Sequence, residues 1–437
     1  MVLELKTIQT INPSDRDSEG FSYDIGGIFI AINQAWKKNV ILFLTSQTIS
    51  LFGSSLVQYA IMWYITLKTQ SGVMMTLAII CGFLPTFFIS PFAGVWADRY
   101  NRKTLIMLAD TMIAAATLIL ALLFFAGYDM TWLLFVISAV RAFGSAVQMP
   151  AVGAFLPQLV PEEHLTRVNA TNGSIQALVL LFSPMLSGAL LTVANIQTIF
   201  LVDVFTAAVA VLVLLLFLRV PAHVKAQEKQ KVTYMEDLRA GISYVRQHEY
   251  VRKFFVFCGS FMFLAGPVAL LTPLQVTRSF GNEVWRLTAI EITFSGGMMV
   301  GGIIMAAWGG FKNRVHSMAF SSILIGAFTV ALGVIPVFWI YLGFMLLTGL
   351  ALPIFNTPST VLLQEKVEPD FLGRVFGVLA MISSTMMPLG MLIFGPVADR
   401  IPIEWLLIIT GLLMFIEGFF LLGNKALVEA GKPAGEA

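Results

Sequence analysis

Five charged side chains lie inside long apolar stretches of this 437-residue sequence, four or more positions from either end of a stretch. Four are carboxylates, Asp110, Asp203, Glu291 and Glu417, and the fifth is the guanidinium of Arg141. An apolar environment disfavours the charged form of a carboxyl group, so such a group can take up and release a proton near neutral pH. We therefore predict that Arg141, Asp203, Glu291 and Asp110 take part in proton coupling.

Structural roles stay open for these groups. Asp110 and Glu417 lie nearer the ends of their stretches, where a helix cap or a side chain that reaches toward water is the simpler explanation. Glu291 follows Arg286 closely enough for an ion pair at the membrane surface. Arg141 needs a partner in the membrane interior, and backbone carbonyls are the alternative to a carboxylate or a water-filled cavity.

Twelve apolar stretches supply the elements that must position these groups. Hydrophobic residues make up 57% of the chain and charged residues only 12%, which is too little charge for a water-soluble domain. The stretches fall at about 39–66, 73–96, 105–126, 131–156, 168–194, 197–219, 253–277, 287–308, 316–335, 337–362, 373–398 and 403–423. The fold class predicted from them is an all-α membrane protein, with twelve transmembrane helices in two six-helix pseudo-symmetric bundles.

One long polar segment divides the stretches six plus six. The predicted parts are a cytoplasmic N-terminal extension (1–36), an N-terminal bundle (37–219), a partly helical cytoplasmic linker (220–252), a C-terminal bundle (253–423) and a cytoplasmic tail (424–437). Similar runs recur in both halves at a nearly constant spacing, with Arg167 and Val168 matching Arg374 and Val375. Such internal repeats are typical of transporters.

The basic residues predict the orientation in the membrane. Most of the 27 Lys and Arg residues fall at one end of the stretches. The exceptions are Lys68, Arg278, Arg286 and Arg400 at the other end and Arg141 between the two. Basic loops stay on the cytoplasmic side, so both termini are predicted to be cytoplasmic in a multi-pass protein of the bacterial inner or plasma membrane.

The sequence also argues against several other functions. It contains no phosphate-binding Gly-x-x-x-x-Gly-Lys-Ser/Thr loop, no His-Glu-x-x-His and no Cys-x-x-Cys. Cys81 and Cys258 are interpreted as thiols of the apolar core, and a net charge of +2 gives no basic surface for nucleic acid. We predict no enzyme activity, no cofactor, no metal and no nucleic-acid partner. Whether an ATP-hydrolysing partner protein cooperates with this chain stays open.

The loop between the second and third stretches carries a recognisable motif. It reads Gly94-Val95-Trp96-Ala97-Asp98-Arg99-Tyr100-Asn101-Arg102-Lys103. It resembles the signature loop of the major facilitator superfamily. The resemblance implies a gating latch formed by Gly94, Asp98, Arg99, Arg102 and Lys103. In such a latch Asp98 caps a neighbouring helix N-terminus or pairs with an arginine, whereas the basic residues alone would serve as membrane anchors. Asn101 replaces the family's glycine, and it is an acceptable substitute because Asn also tolerates a left-handed backbone.

Two further motifs resemble those of the same superfamily. Arg141, followed by Gly144, is similar to a motif that is linked there to proton coupling. A relaxed form of the antiporter motif Gly-Pro-x-x-Gly-Gly is formed by Ser183, Pro184, Ser187 and Gly188. Small residues also allow helices to pack closely, which is the structural alternative for this second motif.

Longer runs resemble the macrolide efflux proteins. These runs cover 83–102, 141–188, 288–302 and 364–399. The resemblance implies a monomeric transporter in the lipid bilayer that exports macrolides or related amphipathic drugs by alternating access, driven by protons. A facilitator or importer of another small solute on the same fold is the alternative.

Neutral polar residues within the stretches are candidates for contacting the substrate. They are Gln47, Gln58, Gln148, Gln176 and Asn356. In a mainly apolar cavity they would supply hydrogen bonds to an amphipathic molecule. Bonding between helices is the alternative role for each of them.

Overall fold

A computed structural model of the chain describes the backbone of residues 25–218 and 234–432, and the side chains of those residues apart from 25–35, 91 and 234–238. Residues 1–24 of the predicted extension, 220–233 of the predicted linker and 433–437 of the predicted tail lie outside these ranges. Within the described ranges the regular elements are α-helices. They are α1 (Ile25–Thr69), α2 (Gly72–Arg99), α3 (Arg102–Phe125), α4 (Thr131–Leu159), α5 (Glu162–Val193), α6 (Ile196–Phe217), α7 (Tyr234–Gln247), α8 (Glu249–Leu264), α9 (Gly266–Leu270), α10 (Thr272–Ser279), α11 (Val284–Trp308), α12 (Arg314–Val334), α13 (Phe338–Lys366), α14 (Pro369–Ala398), α15 (Ile403–Gly423) and α16 (Lys425–Ala430).

Short polar side chains cap several of these helices. Ser71 accepts a hydrogen bond from the Met74 amide at the start of α2, and Asn313 accepts one from the Val315 amide at the start of α12. Asn101 does the same for α3 and has φ −65° and ψ 114°. Asn101 therefore does not use the left-handed backbone that Asn tolerates. Asn suits this position because its side chain satisfies a free amide of the first turn.

Eleven helices of the described residues are long and apolar enough to cross a membrane: α1 to α6 and α11 to α15. The stretch 253–277, predicted as one continuous crossing, is instead divided among α8, α9 and α10. Gly266, Pro267 and Pro273 lie at the breaks, where proline cannot donate a backbone hydrogen bond. Broken helices are tolerated within a membrane where protein surrounds them, and these residues are buried.

Neighbouring helices support the broken segment through Gln275. Its side chain, 1% exposed, donates to the carbonyl oxygen of Leu332 at 2.9 Å and accepts from the Tyr341 hydroxyl at 2.9 Å. Both partners belong to the long helices α12 and α13. A neutral side chain thus fixes α10 against the helices behind it.

The turns between the helices gather at two ends. The Asp399 end holds the turns at 70–71, 126–130, 280–283 and 399–402, which are linked by pairs such as Lys68–Asp129 at 2.7 Å. The Asp98 end holds the turns at 100–101, 309–313 and 367–368, which are linked by pairs such as Arg314–Glu365 at 3.0 Å. At the Asp98 end α16 also packs on the start of α12, because Asn313 Nδ2 donates to the Val428 carbonyl oxygen at 2.7 Å.

The first half of the chain (α1 to α6) and the second half (α8 to α15) meet mainly along α2 with α14, α5 with α11 and α1 with α10. The apolar core of the second half extends to Trp63 of α1 and Met75 of α2, which lie toward the Asp399 end. The core at the Asp98 end of the first half, around Phe43 and Phe155, contains first-half residues alone. The described halves are therefore joined at the Asp399 end and separate toward the Asp98 end.

Candidate coupling and substrate site

A buried ion pair joins α4 to α6. Arg141 is 5% exposed and Asp203 is fully buried, and the Arg141 guanidinium donates to the Asp203 carboxylate and to the Thr117 hydroxyl. Arg141 also donates to the Ser54 carbonyl oxygen at 3.1 Å. Two sequence candidates for proton coupling thus become each other's partner. Pairing and additional hydrogen bonds are what make two charges tolerable in an apolar interior.

Asp203 is held on every side by side chains of the first half. Besides Arg141, its carboxylate accepts from the Ser54 hydroxyl at 3.2 Å and from the Thr117 hydroxyl at 3.1 Å. These partners come from α1 and α3, so the ion pair ties four helices together.

Asp110 of α3 has a different environment. Its side chain is 1% exposed, and Oδ1 accepts from the Ser50 hydroxyl at 2.7 Å and from Gln148 Nε2 at 2.6 Å. Its other oxygen, Oδ2, is buried without a partner, and no cation pairs with it among the described residues. Asp110 is therefore neither a helix cap nor a side chain that reaches water.

Glu291 of α11 is the candidate contributed by the second half. Arg286 does not pair with it: Arg286 forms an ion pair with Glu283 at 2.9 Å and lies over the Trp285 ring at 5.2 Å. The ion pair considered for Glu291 is thus excluded. Glu291 interacts electrostatically with Tyr59 of α1, across the boundary between the halves.

A cavity of about 470 Å³ lies beside the buried ion pair. It is lined by Leu51, Ser54, Ser55, Gln58, Ile61, Met62, Ala78, Ile79, Gly82, Phe83, Thr86, Ser138, Arg141, Ala142 and Ser145. The lining is apolar with a few hydroxyl groups, one amide and one cation. Such a surface suits an amphipathic molecule that needs a few oriented hydrogen bonds.

The five predicted substrate contacts fall in different places. Gln58 lines this cavity, whereas Gln148 is engaged by Asp110. Gln47 has a buried Nε2 without a hydrogen-bond partner. Gln176 and Asn356 are exposed on α5 and α13. Gln58 is the one that the structure brings next to Arg141.

The predicted latch loop is anchored by its basic residues, while its carboxylate is exposed. Arg102 donates to the carbonyl oxygens of Ala97 at 2.9 Å and Ala154 at 2.8 Å, and Lys103 donates to the Leu218 carbonyl oxygen at 2.7 Å. The Asp98 side chain is 57% exposed and reaches only Arg102, at 3.4 Å. Gly94 has open space around it, and Arg99 is exposed. Among the described residues, these hydrogen bonds and this ion pair of the latch motif stay within the first half.

The antiporter-like motif lies where α5 packs between α1 and α11. Ser183, Pro184, Ser187 and Gly188 are all buried. Ser187 donates to the Leu56 carbonyl oxygen at 3.0 Å, and a side chain at Gly188 would collide with Thr288 of the second half. The motif thus lies in close helix contacts, within the first half at Ser187 and between the halves at Gly188.

Glu417 is a half-buried carboxylate whose partner the sequence did not reveal. Glu417 of α15 accepts a hydrogen bond from the Ser260 hydroxyl of α8, and its other oxygen is buried without a partner. It lines a groove of about 380 Å³ together with Arg252 and Lys253. The position of Glu417 near the end of α15 was visible in the sequence, but its contact with Ser260, which is 157 positions away, was not.

The comparisons with known proteins agree with this geometry. A model of the Major Facilitator Superfamily matches residues 43–391. Macrolide efflux protein A of Streptococcus pyogenes is 29% identical over 381 residues, which cover 87% of this chain and 94% of the relative.

Two solved structures show the same fold. One is a bacterial homologue of the human lysosomal transporter Spinster in an inward-facing, unoccupied conformation, with a TM-score of 0.69 and 13% identity over 92% of this chain and 99% of the other. The other is a mutant of the nucleoside transporter NupG, with a TM-score of 0.68 and 16% identity. It covers 88% of this chain and 99% of the other. The resemblance seen in the sequence motifs is thus confirmed, and the chain belongs to the major facilitator superfamily of multi-pass membrane transporters and is not an enzyme.

Proposed function

We propose that this chain is a secondary active transporter that exports amphipathic drugs of the macrolide class by alternating access, driven by the proton gradient. The similarity to Macrolide efflux protein A along 94% of that protein carries the proposal. The mainly apolar cavity beside Arg141 supports it, because macrolides are large amphipathic molecules.

The architecture proposed for transport has twelve crossings. We take α8, α9 and α10 together as the seventh crossing, which makes two bundles of six on either side of the linker helix α7. The bias of basic residues supports a cytoplasmic location for the Asp98 end and both termini. The cavity then opens toward the cytoplasm in the state described here. This agrees with the likeness to an inward-facing structure.

Asp110 is our choice for the proton carrier in the first half. Asp203 has a permanent counter-ion in Arg141, whereas Asp110 has a buried oxygen without a partner. A carboxyl group without a cation can be occupied by a proton and then emptied as the cavity changes sides. In this scheme Arg141 and Asp203 position the surrounding helices, and Glu291 is the proton carrier of the second half.

The loop motif would then act as the inner gate. When the Asp98 end closes, Asp98 would meet the N-terminal turn of α14, whose free amides attract a carboxylate. This is supported by α2 and α14, which already pack on each other between the halves. Arg102 and Lys103 would keep the loop in place in both states.

Drug accumulation tests the function directly. Cells that express the chain should retain less radiolabelled macrolide than control cells, and an uncoupler should abolish the difference. Proteoliposomes with an imposed pH gradient and no ATP should also move the drug, which separates the chain's own activity from that of an ATP-hydrolysing partner. Unchanged accumulation of every amphipathic drug tested would refute export, and uptake instead of export would identify an importer.

A further inference from the structure

The sequence that ends α2 recurs at the end of α14. Residues 94–99 read Gly-Val-Trp-Ala-Asp-Arg, and residues 395–400 read Gly-Pro-Val-Ala-Asp-Arg. The helices α2 and α14 belong to different halves and run in opposite directions, so the two copies lie at opposite ends of the molecule. The first copy belongs to the latch motif, whereas the proposed function gives the second copy no role.

Asp399, in the second copy, caps the helix that carries the first copy. Its Oδ1 accepts from the Gly72 amide at 2.7 Å, and its Oδ2 accepts from the Val73 amide at 2.9 Å and from the Ser71 hydroxyl at 2.7 Å. The amides of a first helical turn have no partner within their own helix and form its positive end. Asp399 thus satisfies the start of α2 from the opposite half.

A cation of the second half completes the contact. Arg278 Nη2 donates to Asp399 Oδ1 at 2.7 Å, and Arg278 Nε donates to the Gln70 carbonyl oxygen at 3.1 Å. Nearby, Thr76 donates to the Met391 carbonyl oxygen at 3.0 Å. The bonds to Gln70 and Met391 cross between the halves, at the end where the halves are joined.

We propose that Asp399 is a second latch, which holds the Asp399 end closed and alternates with the Asp98 latch at the opposite end. The proposal rests on the alternating access of the proposed function. In the state described, Asp399 is engaged and Asp98 is exposed. Closing the Asp98 end requires the halves to part at the other end, and this must withdraw Asp399 from Gly72 and Val73. One latch is therefore made as the other is broken.

The test measures the distance between the halves at each end, in full-length protein in lipid nanodiscs without drug or gradient. Spin-labelled cysteines replace Tyr128 and Val337 at the Asp399 end, and Tyr100 and Phe311 at the Asp98 end. In the same protein Cys81 and Cys258 are replaced by residues without a thiol. Since no transport is measured, the result does not depend on which substrate is exported. A failure of drug export can therefore be told apart from a failure of the latch.

We expect Asp399→Ala to raise the population open at the Asp399 end by about tenfold, which corresponds to about 1.4 kcal/mol. Asp98→Asn should move the population the other way, and the double variant should return toward the wild type. Glu404→Gln is the matched control, because Glu404 binds Ser279 within the same half at the same end.

An unchanged distance distribution in Asp399→Ala, or an equal shift in Glu404→Gln, would overturn the proposal. If Asp399→Ala does not fold, Ser71→Ala removes one donor to the same carboxylate and should give a smaller shift in the same direction. The absence of any shift in a folded Ser71→Ala protein together with a folded Arg278→Gln protein would also overturn it.

Discussion

The two halves of this transporter are stabilised by different means. The first half buries an ion pair, Arg141–Asp203, and a carboxylate without a counter-ion, Asp110. In the second half the buried hydrogen bond between Tyr341 and Gln275 is neutral. Buried charges are costly and can change state, whereas neutral bonds only hold helices in place. Under the proposed function, this difference makes the first half the larger contributor to coupling, with Glu291 as the candidate of the second half.

Close glycine contacts hold the second half together. A side-chain carbon on Gly349 of α13 would collide with the Phe294 carbonyl oxygen of α11, and one on Gly297 would collide with that of Leu346. Gly326 and Gly411 bring α12 and α15 together in the same way. Such contacts let helix backbones approach closely in a membrane, where the hydrophobic effect does not drive helix association.

Removal of Arg141 should break the first half most severely. In Arg141→Ala, Asp203 stays buried without its cation, a loss of about 3–5 kcal/mol, and export should stop. Drug accumulation and thermal unfolding of the purified protein measure the two effects. The double variant Arg141→Met with Asp203→Leu should recover stability but not export. Export that survives in Arg141→Ala would contradict the proposed role of the pair in positioning the surrounding helices.

Replacement of Asp110 should separate coupling from stability. Asp110→Asn keeps the shape and the bonds to Ser50 and Gln148 but cannot carry a proton. We expect at least about a tenfold loss of gradient-driven export, with a change in stability below about 1 kcal/mol. Drug export from proteoliposomes with and without a pH gradient is the measurement. If Asp110→Asn responds to the gradient as the wild type does, the proton is carried elsewhere, and Glu291→Gln becomes the next test.

Adding a methyl group at a close glycine contact should lower the stability of the second half and leave proton coupling unchanged. Gly349→Ala places a methyl group against the backbone of α11 and should cost about 1–3 kcal/mol. Gly343→Ala is the control on the same helix, since its added carbon would meet no atom within 4 Å. Thermal unfolding measures the difference. Equal stability of the two variants would show that α11 and α13 can separate at little cost.

The smallest effect is expected from pH at the Asp399 end. Burial acts to raise the pKa of Asp399, but hydrogen bonds from Ser71, the Val73 and Gly72 amides and Arg278 outweigh it, so the pKa is lowered below its ordinary value of 3.8. The contribution of the contact is therefore complete above that value and is lost only as the pH falls through the lowered pKa. In a chain that carries Asp110→Asn and Glu291→Gln, so that the two proposed proton carriers cannot titrate, label distances at this end should not change between about pH 8 and 5. Opening near pH 6 would point to a different titrating group.

Much of the fold could be predicted from the sequence, because apolar length is a strong signal in membranes. The predicted stretch 403–423 coincides with α15, and eleven of the stretches match long helices. The stretch 253–277 was taken as continuous because its hydropathy is continuous. Gly266, Pro267 and Pro273 were visible in it, but whether proline breaks or merely kinks a helix depends on neighbours such as Gln275.

The site was predictable by residue type and not by pairing. Arg141 and Asp203 were both selected, yet they are 62 positions apart, and only the packing of α4 on α3 and α6 brings them together. Asp110 looked like a cap until Ser50 and Gln148 were seen to surround it. The repeated Gly-x-x-Ala-Asp-Arg was a visible sequence signal for Asp399. Its partners, however, include the Gly72 and Val73 amides of another helix, and no side-chain pattern reveals backbone partners.

The docking of α16 has a practical consequence for anyone who handles this protein. The Val428 and Gly431 carbonyl oxygens accept hydrogen bonds from Asn313 Nδ2 and the Arg314 amide. A truncation at Asn424 would therefore strip the start of α12 of two partners, although it removes no crossing. A purification tag or fluorescent reporter should be placed beyond Lys432, so that α16 keeps its contacts with the start of α12.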